Sequence, residues 1–287
     1  MTLIMRPRRF GKTLTMSMVE QFFSVDYSNR ADLFEGLSIW SEERYRMMQG
    51  TYPVISLSFA NVKESDYKTT REKICQILAN LYAQHNYLLE SGVLTEQECD
   101  FFKSIRMGMG EVEATMAIHQ LSNYLARYHG KRVIILLDEY DTPMQEAYVH
   151  GYWEELVSFI RGIFNASFKT NPYLERALMT GITRVSKESI FSGLNNPEVV
   201  TATSVKYADA FGFTSDGVVD ALSEFGLADK VGQVRDWYDG FTFGNCADIY
   251  NPWSILNYLE KQRFAAYWAN SSSNILVSKL LREGSAK

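Results

Sequence analysis

Cysteine is scarce in this chain: Cys75, Cys99 and Cys246 are far apart and odd in number among 287 residues. That excludes a disulfide-stapled scaffold, and the lack of any CxxC or Cys/His pairing at ligand spacing excludes a zinc module. A reducing, cytoplasmic compartment is the expectation. Long apolar runs are missing too. The longest aliphatic stretch, residues 133–137, is far short of the ~20 residues of a membrane span, and no apolar segment of signal-peptide type opens the chain. An excess of positive charge is also absent. With 29 Lys+Arg against 34 Asp+Glu the net charge is -5, so bulk electrostatics lends nothing to binding DNA and any nucleic-acid contact has to be local. His85, His119, His129 and His150 stand isolated from other ligand-type residues, so no metal or triad chemistry is expected of them. Internal repeats and low-complexity segments are lacking as well.

What is present is the composition of a packed protein, 46% hydrophobic, 14% aromatic and 22% charged, at a length that suits one large domain or two modest ones. Short apolar runs alternating with amphipathic stretches predict an α/β fold with a parallel sheet flanked by helices. Strands are expected at 2–5, 52–59, 133–137, 176–182 and 201–211. Ala117, Leu121, Tyr124, Leu125 and Tyr128 share one helical face, as do Trp153, Leu156, Val157, Ile160 and Phe164. Thr95 with Glu98 reads as a capping box, and Asn251-Pro252 as a helix start with proline in the first turn. After residue 212 the strand pattern stops, and Val218, Leu222, Val231, Val234 and Trp237 predict helix. The expected organisation is a core over 1–212 and a smaller helical lid over 213–287.

Chemistry enters at Arg6-Pro7-Arg8-Arg9-Phe10-Gly11-Lys12-Thr13, followed by Leu14, Met18, Val19, Phe22 and Phe23 at helical spacing. A phosphate loop of pattern GxxxxGK[ST] uses glycine and main-chain N–H groups to wrap phosphates, a lysine to reach the outer ones and a hydroxyl to hold magnesium, all at a helix N-terminus that favours anions. Gly11, Lys12 and Thr13 supply the second half, while Arg6 stands where the first glycine falls. The alternative for the same residues is structural: Gly11 ends a turn, Lys12 is solvated and Thr13 caps the helix. The partner motif is the apolar run 133–137 closed by Asp138 and Glu139, two carboxylates at the C-terminal end of a buried strand, where ligands bind in open α/β sheets. Because side chains alternate along a strand, one carboxylate can hold magnesium (Mg2+) beside Thr13 while the other orients an attacking water. Asp141, Thr142 and Pro143 read as a helix cap and first turn. Downstream, Thr180-Gly181-Ile182-Thr183-Arg184 offers Arg184 to stabilise charge on a transferring phosphoryl group. Arg6, Arg8 and Arg9 suit a nucleotide, a nucleic-acid strand or an acidic partner surface.

As a set these residues resemble the AAA-ATPase-like domain of mostly bacterial proteins that often carry a PD-(D/E)XK-type nuclease domain after the ATPase. The resemblance runs over nearly the whole chain. It rests on the phosphate-loop phrase, on Leu137-Asp138-Glu139-Tyr140-Asp141 and Thr180-Gly181-Ile182-Thr183-Arg184, and on Phe211-Gly212-Phe213-Thr214 and Trp237-Tyr238-Asp239-Gly240-Phe241. Tyr250-Asn251-Pro252-Trp253-Ser254 and Tyr267-Trp268-Ala269-Asn270-Ser271 complete it. An arginine at the first glycine position is usual in that family. The resemblance implies a P-loop NTPase fold with ATP and Mg2+ as cofactors. Arg8, Arg9, Phe10, Gly11, Lys12, Thr13 and Leu14 would surround ATP, Thr13 and Asp138 would hold the metal, and Lys12, Glu139 as base and Arg184 would be catalytic. Such proteins have a leading segment before the first strand, so the N-terminus reads as truncated; no PD-(D/E)XK pattern occurs, so no nuclease activity is expected.

Two functions follow. The first is an ATPase that acts as a conformational switch. The second is a non-hydrolysing nucleotide-binding or scaffold module for a partner protein, for self-association or for nucleic acid. Tyr238, Phe241, Phe243, Trp253, Tyr258 and Trp268 would offer bases a stacking platform in the second case, and otherwise pack as core.

Overall fold

The structure, a computed structural model, describes residues 1–183 and 197–269. The chain divides into two compact units, Met1–Leu3 with Thr15–Glu198 and Ile4–Leu14 with Val199–Lys287. It passes from one to the other along two strands, β1 (Thr2–Met5) and, far later, β5 (Glu198–Val200). Between them lie β2 (Val54–Ser58), β3 (Val133–Asp138) and β4 (Leu174–Gly181), and the five form a sheet in the order β2-β3-β4-β1-β5. Both β2 and β4 run parallel to β3, with Ile55 opposite Ile135 on one side and Ala177 opposite Ile135 on the other. Every residue of β3 is buried, as its unbroken run of branched aliphatics demands of a parallel strand covered on both faces.

Helix α1 (Lys12–Phe23) covers one face: Met16, Val19 and Phe23 pack on Val54, Ile134, Leu136 and Leu178. Residues of opposite parity, Ile55, Leu57, Ile135 and Leu137, are equally buried and point to the other face. There α2 (Tyr67–Gln84) lies against β2, and α4 (Glu111–His129) lies against β3 and against α6 (Trp153–Phe164). Between these helices come α3 (Glu96–Ser104), opened by the Thr95/Glu98 capping box that the sequence predicts, and α5 (Thr142–His150). No helix among the described residues is long and apolar enough to cross a membrane.

Of the α4 face, Ala117, Leu121, Tyr124 and Leu125 are buried, while Tyr128 stays part-exposed against Tyr87 and His129. The Tyr87 hydroxyl lies 3.4 Å from both His85 Nδ1 and His129 Nε2. Burial lowers the pKa of both imidazoles, against an opposing pull from the Asp26 carboxylate, and it also lowers that of His119. A base with a depressed folded-state pKa takes its proton more readily when unfolded. The stability it contributes is therefore complete above the unfolded value of about 6.5 and falls away as the pH drops below it. The urea midpoint is expected to be lower at about pH 5.5 than at about pH 7.5, and substitution of the three histidines by Gln is expected to flatten that dependence.

The second unit contains α7 (Ser215–Glu224), α8 (Val231–Tyr238), a hairpin of β6 (Phe241–Phe243) and β7 (Cys246–Ile249), and α9 (Pro252–Lys261). Val218, Leu222, Val234, Tyr238, Ile255 and Tyr258 form its core, and Trp237, in α8 as expected, is exposed. Two expectations need correction. The strand expected at 201–211 is a series of turns, the strand itself ending at Val200. Here Thr201 N–H donates to Ser204 Oγ at 2.9 Å, Ser204 N–H returns to the Thr201 carbonyl, and Ala208 N–H reaches the Val205 carbonyl. Such local bonds compete with a strand ladder. Conversely, the hairpin falls where only helix is expected, turning through Gly244-Asn245, with Phe243 opposite Cys246. Gly244 has φ +54, and a Cβ there would sit 2.4 Å from the Ser204 carbonyl oxygen, so the tip admits only glycine.

Candidate functional site

The segment from Arg6 to Gly11 turns the chain from β1 into α1 and belongs to the second unit. Arg9 and Gly11 both take positive φ, +67 and +78, so the backbone reverses between β1 and α1. A Cβ at Gly11 would meet nothing within 4 Å, so this glycine is required by its φ and not by crowding. Lys12 begins α1, is only 4% exposed, and donates from Nζ to the Arg6 and Pro7 carbonyls, each at 3.2 Å. This overturns the solvated alternative for Lys12: its ammonium is folded inward over the loop. The first turn of α1 holds no acidic side chain, so no helix-start carboxylate competes there for an anion.

Arg6 does not join in. It is 1% exposed, and its guanidinium donates to the Thr201 carbonyl at 2.8 Å and the Tyr207 carbonyl at 2.9 Å, with its face 4.4 Å from the Phe243 ring centroid. It thereby fastens the turns at 201–207, and the arginine at the first glycine position is a structural residue. Phe10 is buried among Ala208, Phe243 and Ile249, which leaves only its main chain to a ligand. Arg9 lies over Trp253 at 4.6 Å, and Arg8, Thr13 and Leu14 are exposed. Two further contacts seize the loop from outside: Asn251 Nδ2 donates to the Arg9 carbonyl at 3.3 Å and Trp268 Nε1 to the Arg8 carbonyl at 3.0 Å.

The carboxylates belong to the first unit. Asp138 ends β3, is buried, and accepts from the Thr180 hydroxyl on β4. Glu139 has φ +52, a conformation uncommon outside glycine. Glu139 N–H donates to Thr180 Oγ1 at 3.3 Å, and Thr142 Oγ1 lies 3.5 Å from Glu139 Oε2. Asp141 occupies the expected N-cap position of α5, with Pro143 in the first turn, yet its side chain makes no cap bond. Its fully buried carboxylate reaches instead to the segment after β4. There Oδ2 accepts from Ile182 N–H at 3.0 Å, Thr183 N–H and Oγ1 at 2.7 Å each, and Gln145 Nε2 at 2.8 Å. Tyr140 adds a bond from its hydroxyl to the Thr183 carbonyl at 2.9 Å.

The polar residues of 180–183 thus serve the carboxylate turn together with Gln145, a role whose only sequence trace is that two threonines lie at the end of an apolar strand. Arg184 lies outside the described residues. The aromatic residues of the candidate stacking platform all engage protein partners: Tyr238 and Tyr258 stack on Phe264, Phe243 meets Phe10 edge-on and Phe241 meets Trp268 edge-on, and Trp253 lies under Arg9.

No solved structure matches the chain. Over 284 residues it is 26% identical to an uncharacterized protein of Azotobacter chroococcum mcd 1 encoded in the vnfD 5' region, an alignment that takes in 97% of this chain and 48% of that protein. The chain therefore spans about half the length of this curated relative. A family profile described as "Predicted AAA-ATPase" matches residues 1–191, two thirds of the sequence and every motif from the phosphate loop to Thr180-Gly181-Ile182-Thr183, so the chain belongs to the AAA-ATPase-like family.

Proposed function

We propose that this chain binds ATP with Mg2+ and hydrolyses it, acting as a conformational switch. The observation that carries this reading is Lys12: a buried ammonium folded over the carbonyls of a positive-φ turn at the start of a helix with no acidic first turn. A turn so built suits a polyphosphate, which takes N–H groups and one cation that can swing outward. Membership of the AAA-ATPase-like family supports the same ligand. Bound Mg-ATP would supply the phosphoryl group and its charge-neutralising metal. The chain's residues would do the rest. Arg8 through Leu14 would wrap the phosphates, mainly by backbone N–H, with Lys12 reaching the outer phosphate. Thr13 and Asp138 would ligate the metal, the latter held in one rotamer by Thr180. Glu139 would take the proton of the attacking water, and Arg184 would stabilise the transferring group. In this proposal residues 1–212 are the ATPase core and 213–287 a lid, built of helices and the β6–β7 hairpin over its described residues, that hydrolysis repositions.

The deciding measurement is Mg-ATP affinity and phosphate release by the parent protein beside Lys12→Ala. The alanine protein is expected to bind at least about tenfold more weakly, since a charge-assisted bond to a phosphate is worth roughly 1.5–3 kcal/mol. Equal affinity in the two proteins would refute the phosphate-loop reading. Binding without turnover in the parent would favour the non-hydrolysing module.

A further inference from the structure

The phosphate loop does not hold its own shape. Arg9 stands at φ +67, a conformation that costs a non-glycine residue free energy and persists only where its surroundings hold it. What surrounds it comes from the far end of the sequence. Asn251 Nδ2 grips the Arg9 carbonyl, Trp268 Nε1 grips the Arg8 carbonyl, and the Trp253 ring lies under the Arg9 guanidinium. Each donor is itself fixed. Asn251 is buried, and its Oδ1 accepts from Ser254 N–H at 3.1 Å as the N-cap of α9. The Trp268 ring meets Phe241 edge-on at 5.3 Å. A phosphate is repelled by carbonyl oxygens and held by N–H groups, so where the Arg8 and Arg9 carbonyls are tied decides which groups the loop has left to offer.

We propose that Asn251 and Trp268 are positioning residues for phosphate binding. By holding the Arg8 and Arg9 carbonyls they keep the loop in its anion-binding form, and they make the affinity for a polyphosphate depend on the C-terminal segment. The proposal rests on the nucleotide reading for its ligand but not for the anchoring itself. It also gives the Trp253 motif and the Trp268 motif a purpose other than core packing.

Two substitutions separate anchoring from folding. Asn251→Ser keeps a side-chain oxygen to cap α9 but has no amide donor for the Arg9 carbonyl, and Trp268→Phe keeps an aromatic ring against Phe241 but has no N–H. In the full chain without ligand, amide hydrogen exchange at residues 8–13 is expected to quicken about tenfold in each variant, with exchange in β3 and α4 unchanged. By titration calorimetry, Mg-ATP and Mg-pyrophosphate are both expected to bind about tenfold more weakly, a loss of ~1.4 kcal/mol. The similar loss for pyrophosphate, which has no base or ribose, is the readout that a merely structural defect elsewhere would not reproduce. Unchanged loop exchange in both variants would overturn the anchoring. Faster exchange with parental affinity would overturn its role in binding. A parent that binds neither ligand would overturn the nucleotide reading instead, and the exchange arm would then decide the anchoring alone.

Discussion

Turnover by the Glu139→Gln protein is expected to fall by about 10²- to 10⁴-fold, the usual worth of a general base, while Mg-ATP affinity stays within about threefold of the parent. Glutamine has the shape of glutamate and retains an oxygen for the Thr142 hydroxyl, and its backbone can keep the bonds to Thr180 and Thr142 that frame the φ +52 turn. What it loses is the capacity to take a proton. The protein should therefore load nucleotide and stall. Single-turnover phosphate release checks this directly, and a variant that hydrolyses ATP at the parental rate would remove Glu139 from the chemistry.

Asp141→Ala is expected to cost about 3 kcal/mol of folding stability, read from urea denaturation, with Asp141→Asn losing less. One carboxylate oxygen accepts from Ile182, both Thr183 donors and Gln145. Alanine leaves all four donors to find other partners around a position where the carboxylate is fully buried, whereas asparagine retains an oxygen acceptor. Packing there is close: a Cβ at Gly181, the last residue of β4, would lie 2.6 Å from the Tyr140 ring and 2.7 Å from Asp141 Oδ1. A loss under about 0.5 kcal/mol for the alanine variant, the ordinary surface value, would show that Asp141 is not the fastening the distances describe.

The strands at 2–5 and 133–137 and the two helical stripes are legible in the sequence because each is fixed by its own periodicity and by burial that the periodicity announces. The Thr95/Glu98 box and the Asn251-Pro252 start are legible for a similar reason, since a cap is chemistry between residues three apart. What escapes is non-local. Asp141 carries every sign of a helix cap, and only the approach of Ile182 and Thr183 turns its carboxylate elsewhere. Arg6 looks like one of three basic residues beside a phosphate site, and nothing near it in sequence says that its partners are Thr201 and Tyr207. The hairpin at 241–249 did have a local signal, Gly244-Asn245 between alternating residues, but the strength of the helical pattern on both sides masked it. Gly11, Lys12, Asp138 and Glu139 suggest the proposed chemistry by residue type and order alone, while the groups that bond to them, such as Thr180, carry no such signal.

Sequence distance also has a meaning in time. The bonds that shape the phosphate loop join residues 195, 201, 242 and 260 positions apart. A ribosome adding about 5–20 residues per second completes the loop's own residues at once and delivers their first partner roughly 10–40 seconds later. Throughout that interval the nascent chain can assemble β2, β3 and the helices around them, but the Lys12 loop has no carbonyl clamp and no Arg6 anchorage. Under the proposed function, nucleotide capture would be withheld until Trp268, 260 positions beyond Arg8, has emerged.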